Sequence, residues 1–114
     1  MTIFSLHEHE LRPDIDEEVY KRDVATAIAK LRVPGLKKAY HVQGFKGKRE
    51  QKYGVLWIFE SEAAIVANFG TPENPKWPED WLHYENDILA KYLDRHPDTI
   101  DFTAYQLLIP FEFD

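Results

Sequence analysis

The feature that most constrains the fold of this chain is an unbroken apolar run, VLWIF, at residues 55–59. Successive side chains of a β-strand point to opposite faces of its sheet. An apolar run without a polar break therefore predicts a strand that is buried on both faces. Both faces of the sheet that contains this strand must therefore be covered, either by other parts of the same chain or by a second molecule.

The segments around this run predict a strand, a helix, a hairpin, two helical segments and a last strand. Asp14 is the expected cap of the first helix, with Glu17 three residues later as its capping-box partner, and Pro34-Gly35 ends that helix. The expected strands are 2–11, 36–46, 51–60 and 99–109. The other expected segments are a short helix that Ser61 caps and Gly70 ends, through about Phe69, a proline-rich loop at 71–78 and a helix from Pro78 to about Arg95.

The order β-α-β-β-α-β is that of the ferredoxin-like fold. We therefore expect one α+β domain over residues 1–114: a four-stranded antiparallel sheet with its helices on one face and its last strand at an edge. The helices then leave the second sheet face open. On both faces of the sheet the side chains near its centre are apolar, so a second copy of the chain is the simplest cover for the open face. The expected assembly is a homodimer whose buried face includes Leu6, Leu56 and Ile58.

Four short motifs support this arrangement: VPGL at 33–36, Gly44, YGVLWIFES at 53–61, and Pro72. With the element order, they resemble the dimeric α+β barrel superfamily, which includes antibiotic-biosynthesis-type monooxygenases, stress-responsive barrel proteins and small polyketide cyclases. The resemblance implies a small-molecule pocket between sheet and helices, faced by the set Ser5, His7, His9, Tyr53 and Trp57. The chain departs from the cyclases at ANFGTPENP (67–75), where Asn68 and Asn74 replace a Tyr and a His.

Composition excludes several classes of protein. The 114 residues carry 14 Lys and Arg against 20 Asp and Glu, a net charge of −6, which disfavours nucleic-acid binding. Cysteine is absent, and no apolar run approaches the length of a membrane span. The first residues lack the pattern of a signal peptide, so we expect a cytoplasmic protein. The basic segment 30–52 predicts either a solvated hairpin or a docking patch for an anionic ligand or partner.

His7 and His9 are the sharpest candidates for chemistry. Two residues apart on a strand, they point the same way about 6.6 Å apart. A neutral imidazole can accept a proton from a phenol or an enol, which makes both histidines candidate catalytic residues. Two other interpretations stay open: a metal pair completed by His41, His83 or Glu60, or two half-exposed residues at a strand end. No third ligand stands at a diagnostic spacing, so we expect no metal. We also expect no organic cofactor, with haem as a weaker option that the resemblance implies.

Large rings supply the candidate binding residues. They can line an apolar pocket for a planar ligand, or they can simply fill the core. The residues expected to bind ligand are Tyr53, Trp57, Asn68, Trp81 and Tyr84. Trp77, in the proline-rich loop, is expected to pack over the open end of the space between sheet and helices, near Phe69 and Trp81.

These features predict a homodimeric protein that binds a small planar or phenolic compound. It is either a cofactor-independent enzyme, of the monooxygenase, cyclase or isomerase type implied by the resemblance, or a dimer with a binding or structural role and no catalysis. A connected cavity that touches His7 or His9 favours the first interpretation, and a filled core favours the second.

Overall fold

The apolar run lies in an inner strand of a four-stranded antiparallel sheet. The computed structural model describes all 114 residues. The elements in chain order are β1 (Ile3–His9), α1 (Glu17–Ala29), β2 (Leu36–Gln43), β3 (Tyr53–Phe59), α2 (Glu62–Phe69), β4 (Gly70–Thr71), β5 (Asn74–Pro75), α3 (Glu79–Leu82) and β6 (Asp101–Gln106). The strand order is β2-β3-β1-β6, so the last strand lies at an edge, as the sequence predicts. None of the helices combines the length and the apolar character needed to cross a membrane.

The pleat of the sheet separates a helix-covered face from an open face. On β1 and β3 the odd-numbered residues form the covered face, and Ser5 lies opposite Trp57 while His7 lies opposite Val55. Val55, Trp57 and Phe59 are buried there with Tyr20 and Val24 of α1; their packing forms the core of the fold.

The open face carries the even-numbered residues of the same strands. Leu56 and Ile58 pair with Leu6 and Phe4 and are half-buried, and the neighbouring Tyr40 on β2 is exposed. No helix of the chain lies on this side, so the sheet keeps an apolar surface that its own chain does not cover.

Helix boundaries differ from the expected ones at two places. The cap of α1 is Asp16 rather than Asp14, and its carboxylate accepts hydrogen bonds from the backbone N–H groups of Glu18 and Val19 at 3.0 and 3.2 Å. The cap of α2 is Ser61 and Gly70 ends that helix, both as predicted. Pro78 is the cap of α3 and not its first helical residue.

The continuous helix expected from Pro78 to about Arg95 is wrong. After α3 the chain forms a π-helical stretch (His83–Ile88) and a 3₁₀ turn (Leu89–Lys91). Wider π-helical turns bring residues five apart onto one face, which lets both Tyr84 and Leu89 reach the core. Arg95 has a φ of 53°, so the helical path ends before it.

The proline-rich loop is more regular than the sequence predicts. Gly70 pairs with Pro75, and Thr71 pairs with Asn74. These pairs form a short hairpin, β4–β5, with two residues in each strand, where we expected no regular structure. Gly70 has a φ of 73°, and a Cβ there would lie 2.2 Å from the backbone oxygen of Asn74. Glycine is therefore required at this position, and the hairpin starts directly at the end of α2.

Arg49 fixes the β2–β3 loop to β1. Its guanidinium donates hydrogen bonds to Glu10 at 2.5 Å and to the backbone oxygens of His9 and Tyr53 at 3.0 and 3.1 Å, and it lies 3.0 Å from the Glu8 carboxylate. The planar fork of arginine suits this set of acceptors, which lysine could satisfy only in part. One side chain thus connects three segments at the end of the sheet that holds His9.

Replacement of Arg49 by alanine should lower the free energy of unfolding by about 1–3 kcal/mol, because two backbone carbonyls and two carboxylates lose their shared donor. Urea denaturation of the wild type and of Arg49→Ala measures this difference. The control is Lys48→Ala, since Lys48 is the exposed neighbour of Arg49 in the same loop and makes no ion pair, and its effect should stay within about 0.5 kcal/mol. Equal losses in the two variants would contradict the role given to Arg49.

Candidate functional site

A cavity of about 480 Å³ lies between the sheet, α2, the β4–β5 hairpin and α3. Its floor is formed by Ser5 and His7 of β1 and by Phe102 and Ala104 of β6. The remaining lining residues are Phe59, Ile65, Phe69, Gly70, Thr71, Pro72, Pro75, Trp77, Trp81, Glu85, Pro97 and Ile100. Most of this surface is apolar, and the few polar groups are on Ser5, His7, Thr71 and Glu85, as is typical of a small-molecule site.

His7 is the titratable group at the floor of this cavity. Its Nε2 lies 3.1 Å from the Ser5 hydroxyl oxygen. Its ring meets those of Trp57, Trp81 and Phe102 at centroid distances of 6.1, 5.8 and 5.4 Å. Burial among these rings lowers the pKa of His7 to about 4, since charging the imidazole there would forfeit its hydration. The imidazole is therefore neutral at physiological pH.

Trp81 forms one wall of the cavity and is held on two sides. Its indole N–H donates to the Glu85 carboxylate at 3.0 Å, one helical turn further along the chain. Its ring packs on Trp57 at a centroid distance of 4.6 Å and on Phe69 at 5.1 Å. A buried ring with two aromatic neighbours and a satisfied N–H has one orientation, so this wall is preformed.

Trp57 and Tyr84 lie behind the wall and do not line the cavity. Trp57 is fully buried, and its indole N–H has no hydrogen-bond partner. Tyr84 packs edge-on against Trp57 at 5.6 Å, and burial raises the pKa of its hydroxyl above the usual value. Both residues support the ring that faces the cavity.

Trp77 lies at the mouth of the cavity. It lines the same space as Phe69 and Trp81, and 55% of its surface is exposed. A ring exposed to that degree contributes little to the core, so Trp77 forms part of the rim rather than a plug.

His9 occupies a different environment, although it lies on the same face only two residues from His7. Its Nε2 is 2.5 Å from the Tyr20 hydroxyl, and that hydroxyl is 2.8 Å from Nε2 of His41. The phenol has one proton to donate, so one imidazole accepts it and the other donates its N–H to the phenol oxygen. Burial, and secondarily the nearby His41, lower the pKa of His9 to about 4. Burial raises the pKa of Tyr20.

His41 therefore points to the helix-covered face, through this bond to Tyr20, and not toward the open face of the sheet. Tyr53 also belongs to this end of the sheet. Its hydroxyl donates to Glu17 at 2.8 Å, and with His9 it borders a smaller hollow of about 180 Å³ lined mostly by polar residues.

Asn68 holds backbone rather than facing the cavity. Its side-chain amide donates to the carbonyl oxygens of Pro34 and Ala64, at 2.6 and 2.8 Å. These bonds fix α2 against the turn that precedes β2. The structure thus brings His7 and Trp81 together at the cavity, places Trp57 and Tyr84 behind it, and leaves His9, Tyr53 and Asn68 elsewhere.

Several lining residues did not emerge from the sequence as site residues. Glu85 could have been found, because it stands four residues after Trp81 and so shares a helix face with it. Phe102 and Ala104 could not be assigned a face, because the register of the last strand is set by its pairing with β1.

The histidines and carboxylates of the chain form no metal centre of the usual kind: no group of three or more His, Cys, Asp or Glu side chains is arranged to hold an ion. A further groove of about 520 Å³, between α1 and α3, is lined largely by charged and polar residues such as Lys30, Asp80 and Asp87. The cavity at His7 is accordingly the better candidate for an organic ligand.

Comparison with known proteins identifies the fold. No family model matches the chain, and no curated protein matches it in sequence. Among solved structures, a dimeric ferredoxin-like protein of unknown function from Jannaschia sp. CCS1 has a TM-score of 0.65 at 20% identity, over 94% of this chain and 100% of that one. A dabb family protein with a ferredoxin-like fold from Mesorhizobium loti has a TM-score of 0.64 at 14% identity, over 94% and 97%.

A protein from Bacteroides thetaiotaomicron, provisionally named an antibiotic biosynthesis monooxygenase, has a TM-score of 0.54 at 20% identity, over 99% of this chain and 96% of that one. Identities of this size show the fold alone. The predicted ferredoxin-like α+β fold is confirmed, and so is the resemblance to dimeric α+β barrel proteins at the level of the fold.

The lowered pKa values of His7 and His9 make stability depend on pH. Between pH 6.5 and about 4 the unfolded chain binds protons that the folded chain does not, so the free energy of unfolding should fall as pH falls, by up to about 3 kcal/mol per histidine. Urea denaturation at several pH values between 7.5 and 4.5 measures the slope. His9→Gln should flatten it, whereas Asn86→Ala, which changes an exposed residue without a titratable group, should leave it as it is. An unchanged slope in His9→Gln would contradict a neutral, buried His9.

Proposed function

We propose that this protein is a homodimer in which each subunit binds a small planar compound with an acidic hydroxyl group, in the cavity beside His7. One observation carries the proposal: a neutral imidazole lies at the floor of an aromatic-walled cavity of about 480 Å³. That volume is within the range of small-molecule sites, roughly 300–1,000 Å³.

The cavity matches a flat, apolar ligand with one polar edge. Trp81, Phe69 and Phe102 offer ring surfaces for stacking, and His7 offers a nitrogen acceptor deep among them. A hydroxyl that reaches His7 meets a polar atom which would otherwise face apolar walls. Discrimination for hydroxylated compounds follows, because Nε2 of His7 already meets the Ser5 hydroxyl, and an analogue without the hydroxyl leaves the other ring nitrogen without a partner.

Proton transfer is the finer part of the proposal. The hydroxyl O–H bond of the ligand breaks, its electron pair remains on the ligand oxygen, and the proton passes to the His7 imidazole. The resulting anion and imidazolium attract each other, and the apolar walls of the cavity strengthen that attraction. Such a step is the start of a cofactor-independent reaction of the monooxygenase, cyclase or isomerase type. A protein that binds the compound and releases it unchanged is the alternative, and it needs the same cavity.

The homodimer is supported by the open face of the sheet. Its apolar surface, which includes Leu6, Leu56 and Ile58, is covered by no part of the same chain. The Jannaschia protein with the same fold is described as dimeric. Two sheets packed face to face about 10 Å apart would bury both open faces and leave the helices outside, as in a dimeric α+β barrel. We expect an interface of about 1,600 Å² or more.

Leu56→Asp should separate or unfold this dimer, because it places a charge without a partner at the centre of the interface. Light scattering should return a dimer for the wild type and a monomer or an unfolded chain for the variant. The control is Val66→Asp, the same kind of change on the exposed side of α2, which should remain a dimer. A monomeric wild type would overturn the proposed assembly.

Calorimetry with 1-naphthol and with naphthalene tests the cavity. We expect 1-naphthol to bind about tenfold more tightly, which corresponds to one hydrogen bond of about 1.4 kcal/mol. His7→Phe should remove this preference while naphthalene still binds. Tyr53→Phe deletes a hydroxyl outside the cavity and should change neither affinity. Equal binding of the two compounds by the wild type would contradict the role of His7.

A further inference from the structure

Glu85 is the one acidic residue that lines the cavity at His7, and no Lys or Arg lines it. The other lining residues are apolar or neutral and polar, and His7 itself is neutral because burial lowers its pKa to about 4. A single carboxylate between apolar walls sets the electrostatic potential that a bound molecule meets. A ligand with a hydroxyl group alone leaves this carboxylate without a role.

Glu85 also differs from the other half-buried carboxylates of the chain. Each of those others forms an ion pair with a Lys or Arg side chain: Glu8, Glu10, Asp23 and Asp94. Glu85 is half-buried as well, but no cationic side chain of the chain pairs with it. A partly desolvated charge without an opposite charge is unfavourable, and a cation brought by a ligand would relieve that cost.

One oxygen of the Glu85 carboxylate is held by the protein, and the other is not. Oε2 accepts the indole N–H of Trp81 at 3.0 Å, and no other donor of the chain bonds to this carboxylate. Burial, and secondarily the charge of Glu85, raise the pKa of the adjacent Tyr84 hydroxyl. The negative charge of Glu85 therefore acts on the aromatic cluster behind the cavity wall, and solvent does not screen it completely.

The aromatic walls favour the same sign of ligand charge. Phe69, Trp77, Trp81 and Phe102 line the cavity, and the face of an aromatic ring attracts a cation. A protonated amine in the cavity would therefore meet both a carboxylate and ring faces. A ligand carboxylate in the same place would be repelled by Glu85.

Trp81 connects the carboxylate to the imidazole. Its ring lies 5.8 Å from that of His7, centroid to centroid, and its N–H bonds to Glu85. A ligand that stacks on Trp81 can therefore contact His7 at one end and Glu85 at the other, which takes about one aromatic ring and a short side arm. After loss of the hydroxyl proton to His7, the anion and the cation of such a ligand would each lie beside an opposite charge.

We propose that the ligand of this cavity carries a protonated amino group at the end opposite its hydroxyl group, and that Glu85 binds this amino group. The inference rests on the proposed function, because it takes the cavity beside His7 as the ligand site. It narrows the ligand class from planar hydroxyl compounds to hydroxyaryl and enolic amines. Glu85 is then a residue that determines specificity, and Trp81 holds it in place.

Calorimetry at pH 7.5 with three compounds of similar shape tests the preferred charge. The probes are 4-ethylphenol, 4-(2-aminoethyl)phenol and 3-(4-hydroxyphenyl)propanoate, which share a phenol and have a neutral, a positive and a negative arm. At this pH the aliphatic amine is protonated and the phenols are not ionised. The wild type should bind the amine at least about tenfold more tightly than 4-ethylphenol, and the propanoate more weakly than 4-ethylphenol.

Glu85→Gln removes the charge and keeps an oxygen that can accept the Trp81 N–H. This variant should reduce the preference for the amine to less than about twofold and leave the affinity for 4-ethylphenol unchanged. The matched control is Asp87→Asn, which removes one negative charge two residues further on, in the groove between α1 and α3. The control should keep the preference of the wild type.

The location of the amine is also checked without a variant. In NMR spectra of the wild type saturated with the amine, the methylene next to the amino group should give NOEs to the indole N–H proton of Trp81. NOEs to the ring of His83 instead, in the groove that holds Asp87, would overturn the inference.

The remaining outcomes separate this inference from the proposed function. Equal affinity of the wild type for the amine and 4-ethylphenol overturns the inference, and so does a preference that Glu85→Gln keeps or that Asp87→Asn loses. In each of these cases 4-ethylphenol still binds at His7, and the proposed function stands. If none of the three compounds binds to the wild type, the inference and the proposed function are both overturned.

Discussion

The packing of Trp57 against Trp81 is the interaction on which the arrangement of the candidate site depends. Trp57 is fully buried at the centre of β3, on the face covered by helices. Its ring positions Trp81 of α3, and Trp81 in turn contacts Phe69 at the end of α2. Two helical segments and the sheet thus meet at one pair of rings. The cavity exists beside this pair because β6 contributes smaller or more exposed side chains than β3 does, so the space above His7 stays unfilled.

The same sheet face supports two histidines in unlike surroundings because different helices cover its two ends. At the end that holds His9, α1 brings Tyr20 directly onto the imidazole and closes the space. At His7 the nearest cover is the Trp81 ring, which meets it edge-on at 5.8 Å. One imidazole is therefore part of a closed hydrogen-bonded chain, and the other faces a cavity. A spacing of two residues places both on one face, but only the helices decide which one a ligand can meet.

Much of the fold can be predicted from local chemistry, and the candidate site only in part. Ser61 and Gly70 bound α2 because a hydroxyl cap and a left-handed glycine act on the residues beside them. The apolar run in β3 indicates a sheet that needs two covers. The site depends on distant pairs instead: the bond of Asn68 to Pro34 joins residues 34 positions apart, and Phe102 meets His7 only through the register of β6 on β1. No periodicity in the sequence records such contacts.

The burial of His7 among aromatic rings also limits the chemistry of the cavity. Burial holds the pKa of His7 near 4, whereas an ordinary phenol such as that of tyrosine has a pKa of about 10. Proton transfer between them is unfavourable by about six units, or about 8 kcal/mol, before any interaction of the products. A hydroxyl with a pKa near 6 reduces this cost to about 3 kcal/mol, which the attraction between the anion and the imidazolium can offset in a site of low polarity. The cavity therefore favours compounds whose hydroxyl is acidified by conjugation over simple phenols, both for binding at His7 and for any reaction that begins with loss of that proton.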